Sequence, residues 1–405
     1  MKVLHWRHCS IHAALSGAAL CTAMRLPAQT APGNAAQLTA RIDSLFRHVT
    51  PNGPGCAVGA SRNGEPLFAR GFGKANMESG DPITAQTPFN IGSVGKQFTA
   101  FAVLLLEQRG RLSLDEDIRR HVPELPNYGA PIRIRDLLYH TSGLRDYSTL
   151  AALGDKPMHT TAEFLALMSR QRALNFPTGT QHEYSHSDYS VLGVVVERIV
   201  GEPLGTFFER EIWTPLGMTN TRLHDDRRRP IRGRALAYEG SAPNYRVIFP
   251  ASEIIGGSNI YTTVDDLLRW ERNEQMPTVG TRALFDRMVS PKFSLEGSGF
   301  AFLTVCRTYG YLRIVCGNYS AEAGAMWEIV VTRGALAVRR PGAADTRLAP
   351  TIPGWFTGNF RHDNDVIPIG VAFPRGAASA SHFLVTALPN FEIVRNLRFD
   401  RVGKP

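Results

Sequence analysis

Phe89-Asn90-Ile91-Gly92-Ser93-Val94-Gly95-Lys96-Gln97-Phe98-Thr99-Ala100 is the stretch that decides the fold. From Ser93 onward the pattern turns helical. Phe98, Phe101, Ala102, Leu105 and Leu106 recur at helical spacing, and Val103 and Leu104 make the segment apolar nearly all round. A helix of that kind lies in the middle of a domain rather than on its surface. Gly110 is placed to stop it. Ser93 and Lys96 stand three residues apart at its start, so they share a face. A serine hydroxyl is a weak nucleophile until a neighbour takes its proton. A lysine in a buried helix can do so, because burial disfavours its charged form. The helix N-terminus favours negative charge developing near Ser93.

Working outward, residues 37–49 carry Leu38, Ile42, Leu45 and Phe46 at amphipathic helical spacing. Cys56 to Ala60 reads as a strand, Asn63-Gly64 as a tight hairpin turn, and Leu67 to Arg70 as the partner strand. Helical and loop segments dominate to about residue 275. Val191 to Val200 is a second strongly apolar helix stopped by Gly201, and Asp265 to Glu271 a third helix preceded by Thr262 and Thr263. After residue 300 the character changes. Strand-like runs occupy 302–305, 312–315, 327–332, 336–340, 366–373, 382–386 and 393–402, separated by turn residues. This tail reads as an antiparallel β module.

Composition narrows the function classes. The 405 residues are 43% hydrophobic and 20% charged, ordinary for a globular chain of two or three domains. Lys2 and Arg7 precede an apolar stretch from Cys9 to Met24, and Leu26-Pro27-Ala28-Gln29 follows. This reads as a secretory signal cleaved near Ala28, which implies a secreted or periplasmic protein with no integral membrane segment after cleavage. Its loss lowers the net charge from +9 to +6 and leaves Cys56, Cys306 and Cys316, enough for one bridge at most. The dense basic run Arg227, Arg228, Arg229, Arg232 and Arg234 lacks interleaved aromatics and zinc spacing. It reads as a solvated loop, and no nucleic acid partner is expected. No cofactor is expected either. His182 and His186 make only a weak zinc pair.

The Phe89–Ala100 segment closely resembles the active-site segment of the serine β-lactamase-like superfamily, which includes class C β-lactamases, DD-carboxypeptidases, D-aminopeptidases and related esterases. Other stretches agree in the family's order. They are Leu137-Leu138-Tyr139-His140-Thr141-Ser142-Gly143-Leu144, Phe176-Pro177-Thr178-Gly179-Thr180 with Tyr184-Ser185-His186-Ser187, Pro215-Leu216-Gly217-Met218, and Gly256-Gly257-Ser258-Asn259-Ile260-Tyr261-Thr262-Thr263-Val264-Asp265-Asp266-Leu267. The resemblance covers roughly residues 35–275. It implies an α+β, β-lactamase/transpeptidase-like fold: a helical subdomain beside an α/β subdomain whose antiparallel sheet joins both chain ends. A smaller all-β domain follows. The implied division is a signal peptide over 1–28, a hydrolase domain over 29–316 and a β domain over 317–405.

Carried over by position, Ser93 would be the acylated nucleophile, with its backbone N–H as one oxyanion donor. Lys96 would share its proton, and Tyr184 would be the phenolate-type base or proton relay. Asn90 and His186 would contact a small-molecule or peptide substrate: a β-lactam, a small ester or a D-amino acid amide. Two departures stand out. The family's second motif is usually Tyr-x-Asn, and here His186 takes the third position. In an extended segment it shares a face with Tyr184. Three roles stay open for it: substrate hydrogen-bond donor, auxiliary base, or surface histidine. The family's third motif, Lys-Thr-Gly or His-x-Gly, supplies the second oxyanion donor from a strand lining the cleft. The chain after Val315 runs Cys316-Gly317-Asn318-Tyr319 instead. Either the hydrolase domain lacks its last strands, or 317–340 completes the sheet. The alternative function is therefore a catalytically impaired binding or regulatory homologue.

Overall fold

In a computed structural model of the chain, the described residues are 33–154, 158–248, 252–288, 313–315, and the strands 328–332, 335–339, 346–347, 349–352, 355–362, 365–372, 382–387 and 394–400. The signal segment, the strand 302–305, Cys306, Cys316 and the position of the missing third motif lie outside them. Nine α-helices occur among the described residues: α1 Gly33–Phe46, α2 Lys96–Gln108, α3 Ile134–Leu138, α4 Tyr147–Gly154, α5 Thr161–Met168, α6 His186–Val200, α7 Leu204–Phe208, α8 Val264–Gln275 and α9 Arg282–Met288. None is long and apolar enough to cross a membrane.

The N-terminal hairpin pairs Cys56–Arg62 with Glu65–Phe72 in antiparallel register. Its turn is closed by Asn63 (φ 54°) and Gly64 (φ 79°). Both centres need positive φ for a turn whose twist matches the strands. Arg313–Val315 adds to the other edge of Cys56–Arg62, with Val58 opposite Ile314. Helix α1 lies across this sheet through Ile42 and Phe46, which cluster with Cys56, Val58, Phe68 and Phe72. Leu45 corrects the sequence reading, because it is 62% exposed. At about 100° per residue it stands some 60° round from Ile42, on the rim of the buried stripe.

The principal core surrounds α2. Every residue from Lys96 to Leu106 is buried. Phe98 meets Trp270 at 4.9 Å and the edge of Trp213 at 5.8 Å, and Phe101 meets Trp270 at 5.1 Å and Phe285 at 5.3 Å. The one polar atom of Trp270 is satisfied by the Gln97 side chain at 2.6 Å, as a buried indole N–H requires. Helix α8 begins one residue before the expected start and runs four beyond the expected end. Its cap is Thr263, whose hydroxyl accepts from the Asp266 N–H at 3.2 Å. Thr263→Ala is expected to cost about 1 kcal/mol, read as a lowered urea midpoint at unchanged slope.

Phe89–Asn90 pairs with Ile260–Thr262, which pairs in turn with Arg222–Leu223. This short sheet fixes where α2 starts. Beyond residue 327, Glu328–Thr332, Ala335–Arg339 and Thr346–Arg347 form a sheet of their own. The strands Ala349–Ile352, Trp355–His362, Asp365–Ala372, His382–Ala387 and Val394–Asp400 form a five-stranded antiparallel meander. Among the described strands, Glu328–Thr332 pairs with Ala335–Arg339 and the latter with Thr346–Arg347, and none of the three pairs with the N-terminal hairpin.

Candidate active site

The chain reaches Ser93 through a 3₁₀ turn, Gly92–Gly95, that leads into α2. The Asn90 side chain helps form the approach, since its Oδ1 accepts from the Gly92 N–H at 2.9 Å. Ile91 N–H is bonded to the Ile260 carbonyl at 2.9 Å. Asn90 therefore shapes the backbone just ahead of the serine.

Three side chains then meet. Lys96 Nζ donates to Ser93 Oγ at 3.0 Å, and Ser93 Oγ lies 2.7 Å from the Tyr184 hydroxyl. Lys96 is 1% exposed. A buried ammonium needs partners for its protons. Besides Ser93, Nζ donates to the Gly257 carbonyl at 3.0 Å. It also lies 5.0 Å and 5.7 Å from the ring centroids of Tyr184 and Tyr189, within cation–π range. Ser93 itself is half-buried and Val94 beside it is exposed, so the cluster opens to the surface at the serine.

Gly257 reaches Lys96 because α6 and the 254–260 segment touch backbone to backbone. A Cβ on Gly193 would lie 2.9 Å from the Gly256 Cα. Thr99 adds a tie, donating to the Gly256 carbonyl at 2.7 Å.

Tyr184 sits between two histidine rings, His140 at 4.7 Å and His186 at 5.1 Å. Each histidine is paired with a buried aspartate. His140 Nδ1 and Asp188 Oδ2 are 2.9 Å apart, and Ser142 donates to Asp188 Oδ1 at 2.5 Å. Both His140 and Asp188 are fully buried. Burial, reinforced by Lys96, His182 and His186, pulls the imidazole well below its usual range. Burial pushes the Asp188 carboxyl well above its own, against the Ser142 hydrogen bond. Both directions favour the uncharged forms of the pair. The Ser185 N–H also lies 3.3 Å from Nδ1. His140 also accepts the Glu183 N–H on its carbonyl at 2.9 Å, which fixes the strand of chain carrying Tyr184.

His186 opens α6, and Ser185 before it is extended. Its Nδ1 is 3.2 Å from Asp146 Oδ2, which also accepts the His186 N–H at 2.6 Å. For Asp146, burial alone would raise the carboxyl. The neighbouring His186 and the hydrogen bonds from His186 and Ser148 outweigh it and hold the group below the usual carboxylate range. His182 meets His140 edge to face at 6.1 Å. Among the described residues no three His, Cys, Asp or Glu side chains converge as a metal site.

The structure thus brings Ser93, Lys96, Tyr184 and His186 together, and places Asn90 behind the serine turn. Sequence reasoning did not find Gly257, Tyr189, Asp146 or the His140–Asp188 pair as parts of this site. The motif stretches contain Gly257 and His140, but spacing gives no sign of what they touch. Asp146 pairs with His186 across 40 residues.

Comparison with known proteins gives the same lineage. The chain is 27% identical over 267 residues to a D-aminopeptidase of Brucella anthropi, covering 64% of this chain and 50% of that protein. It is 32% identical over 274 residues to esterase EstB of Burkholderia gladioli, covering 58% of this chain and 70% of that protein. The match thus spans about half the length of that D-aminopeptidase. Its fold is similar to that of a penicillin-binding protein homologue from Pyrococcus abyssi, with a TM-score of 0.60 at 16% identity, over 89% of this chain and 99% of that one. Residues 42–312, more than half of the chain, match the family model described as Beta-lactamase, and the chain belongs to the beta-lactamase family.

Proposed function

We propose that the protein is a serine hydrolase working through an acyl-enzyme on a small ester, a β-lactam or an amino acid amide. The observation that carries this is Ser93 Oγ held between Lys96 Nζ at 3.0 Å and the Tyr184 oxygen at 2.7 Å. A serine hydroxyl has one proton to give and lone pairs to share. Here it accepts from Lys96 and can donate to Tyr184.

In the proposed cycle Tyr184 enters as the phenolate, its own proton already given up to solvent. Ser93 Oγ attacks the substrate carbonyl, and the serine proton passes to the phenolate oxygen as the new O–C bond forms. The Lys96 charge beside the Tyr184 ring stabilises the phenol oxygen while it carries negative charge. The same tyrosine then protonates the leaving alcohol or amine as the C–O or C–N bond breaks. A water attacks the acyl-enzyme by the reverse proton route, releasing the acid and restoring Ser93. The Ser93 N–H, at the head of the 3₁₀ turn, is one donor toward the oxyanion. His140–Asp188 lies beneath Tyr184 as an uncharged pair and does not compete with Lys96 for the phenol oxygen.

A second reading, a binding homologue with little turnover, rests on the missing Lys-Thr-Gly or His-x-Gly sequence after Val315. Losing one oxyanion donor costs on the order of 10²–10³ in rate, so weak hydrolysis rather than none is the expectation. Incubation with a fluorophosphonate probe, nitrocefin, p-nitrophenyl butyrate and alanine p-nitroanilide separates the two. Labelling on Ser93 with turnover of at least one substrate is expected. Folded protein that neither labels nor turns over any of them would sink the hydrolase and favour the binding reading.

A further inference from the structure

The proposed cycle gives no task to the Leu137–Leu144 stretch, yet its middle holds an unusual backbone. His140 has φ 57°, a left-handed conformation uncommon for any residue but glycine. Such strain persists only where the surroundings over-determine it. At His140 they do. The buried ring lies beside those of Tyr184 and Tyr189, with centroids 4.7 Å and 5.2 Å away. Its Nδ1 is 2.9 Å from Asp188 Oδ2, and the Ser142 hydroxyl holds Asp188 Oδ1 at 2.5 Å. The Leu144 N–H closes the loop on the Ser142 hydroxyl oxygen at 2.9 Å.

What this loop holds is the chain that carries Tyr184. Residues 175–185 belong to no helix or strand, so their backbone groups need partners elsewhere. Four successive carbonyls of the loop supply them. Gly143 accepts from the Asn175 N–H at 2.7 Å, and Ser142 from the Thr178 hydroxyl at 2.9 Å. Thr141 accepts from the Gly179 N–H at 2.8 Å, and His140 from the Glu183 N–H at 2.9 Å. His140 adds a second hold, its Nδ1 lying 3.3 Å from the Ser185 N–H. One residue thus meets the backbone N–H on either side of Tyr184. Asp188 stands in the first turn of α6, so the imidazole also ties the loop to the helix that follows the tyrosine. With both neighbours fixed, the Tyr184 oxygen stands 2.7 Å from Ser93 Oγ.

We propose that His140, set in its left-handed conformation by the 140–143 loop and by Asp188, is the positioning residue that holds Tyr184 in place to act as base on Ser93. It acts on the serine only through Tyr184. This rests on the reading of Ser93 as the nucleophile and Tyr184 as its base.

The test is a double-mutant cycle read as the rate of fluorophosphonate labelling at Ser93, with each variant checked for a native melting curve. His140→Gly accepts φ 57° and keeps the carbonyl for Glu183, but removes the imidazole. It is expected to slow labelling by on the order of 10², the cost of about 1 Å of misplacement. His140→Asn is expected to recover most of the rate. Asparagine tolerates the same φ, and its amide offers an acceptor to the Ser185 N–H and a donor to Asp188. In a Tyr184→Phe background the base is already gone, so His140→Gly is expected to change the residual rate by no more than about twofold. A loss as large in that background as in the native one would show a merely structural role and overturn the proposal. So would a native rate for His140→Gly. If His140→Gly does not fold, hydrogen exchange in the unaltered chain decides. The Glu183 and Ser185 amides are expected to exchange far more slowly than that of exposed Gln181, and exchange of either at the Gln181 rate would overturn the proposal. Native labelling by Tyr184→Phe would instead overturn the reading of Tyr184 as the base, and labelling retained by Ser93→Ala the reading of Ser93 as the nucleophile.

Discussion

Ser93→Ala is expected to abolish covalent labelling and to lower turnover by on the order of 10⁶, the cost of removing a serine nucleophile that works with a tuned base. The melting temperature is expected to stay within a degree or two. The serine is half-buried on a 3₁₀ turn whose backbone is held by Asn90 and Ile260, and its Cβ survives the change. Lys96→Met is the informative companion. It keeps the volume of a fully buried side chain but removes the charge beside Tyr184 and the donor to the Gly257 carbonyl. Proton transfer of this kind contributes about 10²–10⁴, so Lys96→Met should fall short of the Ser93 defect and should still label slowly. A Ser93→Ala protein that retains labelling would place the reacting hydroxyl elsewhere. A Lys96→Met protein with native rates would remove the lysine from the proton path.

The parts of this molecule legible in the sequence are those whose cause is local. Asn63-Gly64 announces its turn because positive φ at two successive positions is a property of those residues. The Lys96–Leu106 run announces a central helix because apolarity on every side leaves it no solvent face. Ser93 and Lys96 meet because three residues on a helix fix their separation. What escaped depends on contacts made by distant chain. Trp355–His362 is a strand, yet Gly358 and Asn359 disfavour one. It is held by pairing to Asp365–Ala372 along its whole length. Leu45 has helical spacing but lies on the rim of its stripe. The Asp146–His186 and His140–Asp188 pairs join segments 40 and 48 residues apart. The resemblance of Tyr184-Ser185-His186 to a Tyr-x-Asn motif located His186, but not the buried Asp146 carboxylate it meets.

Gly256→Ala is expected to be the most damaging single methyl group that can be added near the site. Gly256 has φ 86°, and a Cβ there would lie 2.1 Å from the Tyr189 carbonyl oxygen and 3.1 Å from the Gly193 Cα. Both obstacles are backbone, so no rotamer change relieves them. Strain at positive φ costs about 1–3 kcal/mol, and forcing packed elements apart a further 1–3 kcal/mol. Together these are a large share of the 5–15 kcal/mol that holds an ordinary domain folded. Gly80→Ala isolates the first cost, because Gly80 has φ 75° and nothing within 4 Å of its Cβ position. Urea denaturation of the two variants should therefore show Gly256→Ala to be the less stable by the packing difference. Equal midpoints would mean that α6 and the 254–260 segment are not in the contact described. The displacement also has a chemical consequence. Gly257 carries the carbonyl that receives Lys96 Nζ at 3.0 Å, and Tyr189, whose carbonyl meets the new methyl, presents its ring to the same ammonium. Separating α6 from Gly256 moves both partners of Lys96 relative to Ser93. A shift of about 1 Å in a reacting group is enough to cost on the order of 10² in rate. Gly256→Ala protein that remains folded at low temperature should therefore label much more slowly with fluorophosphonate than Gly80→Ala.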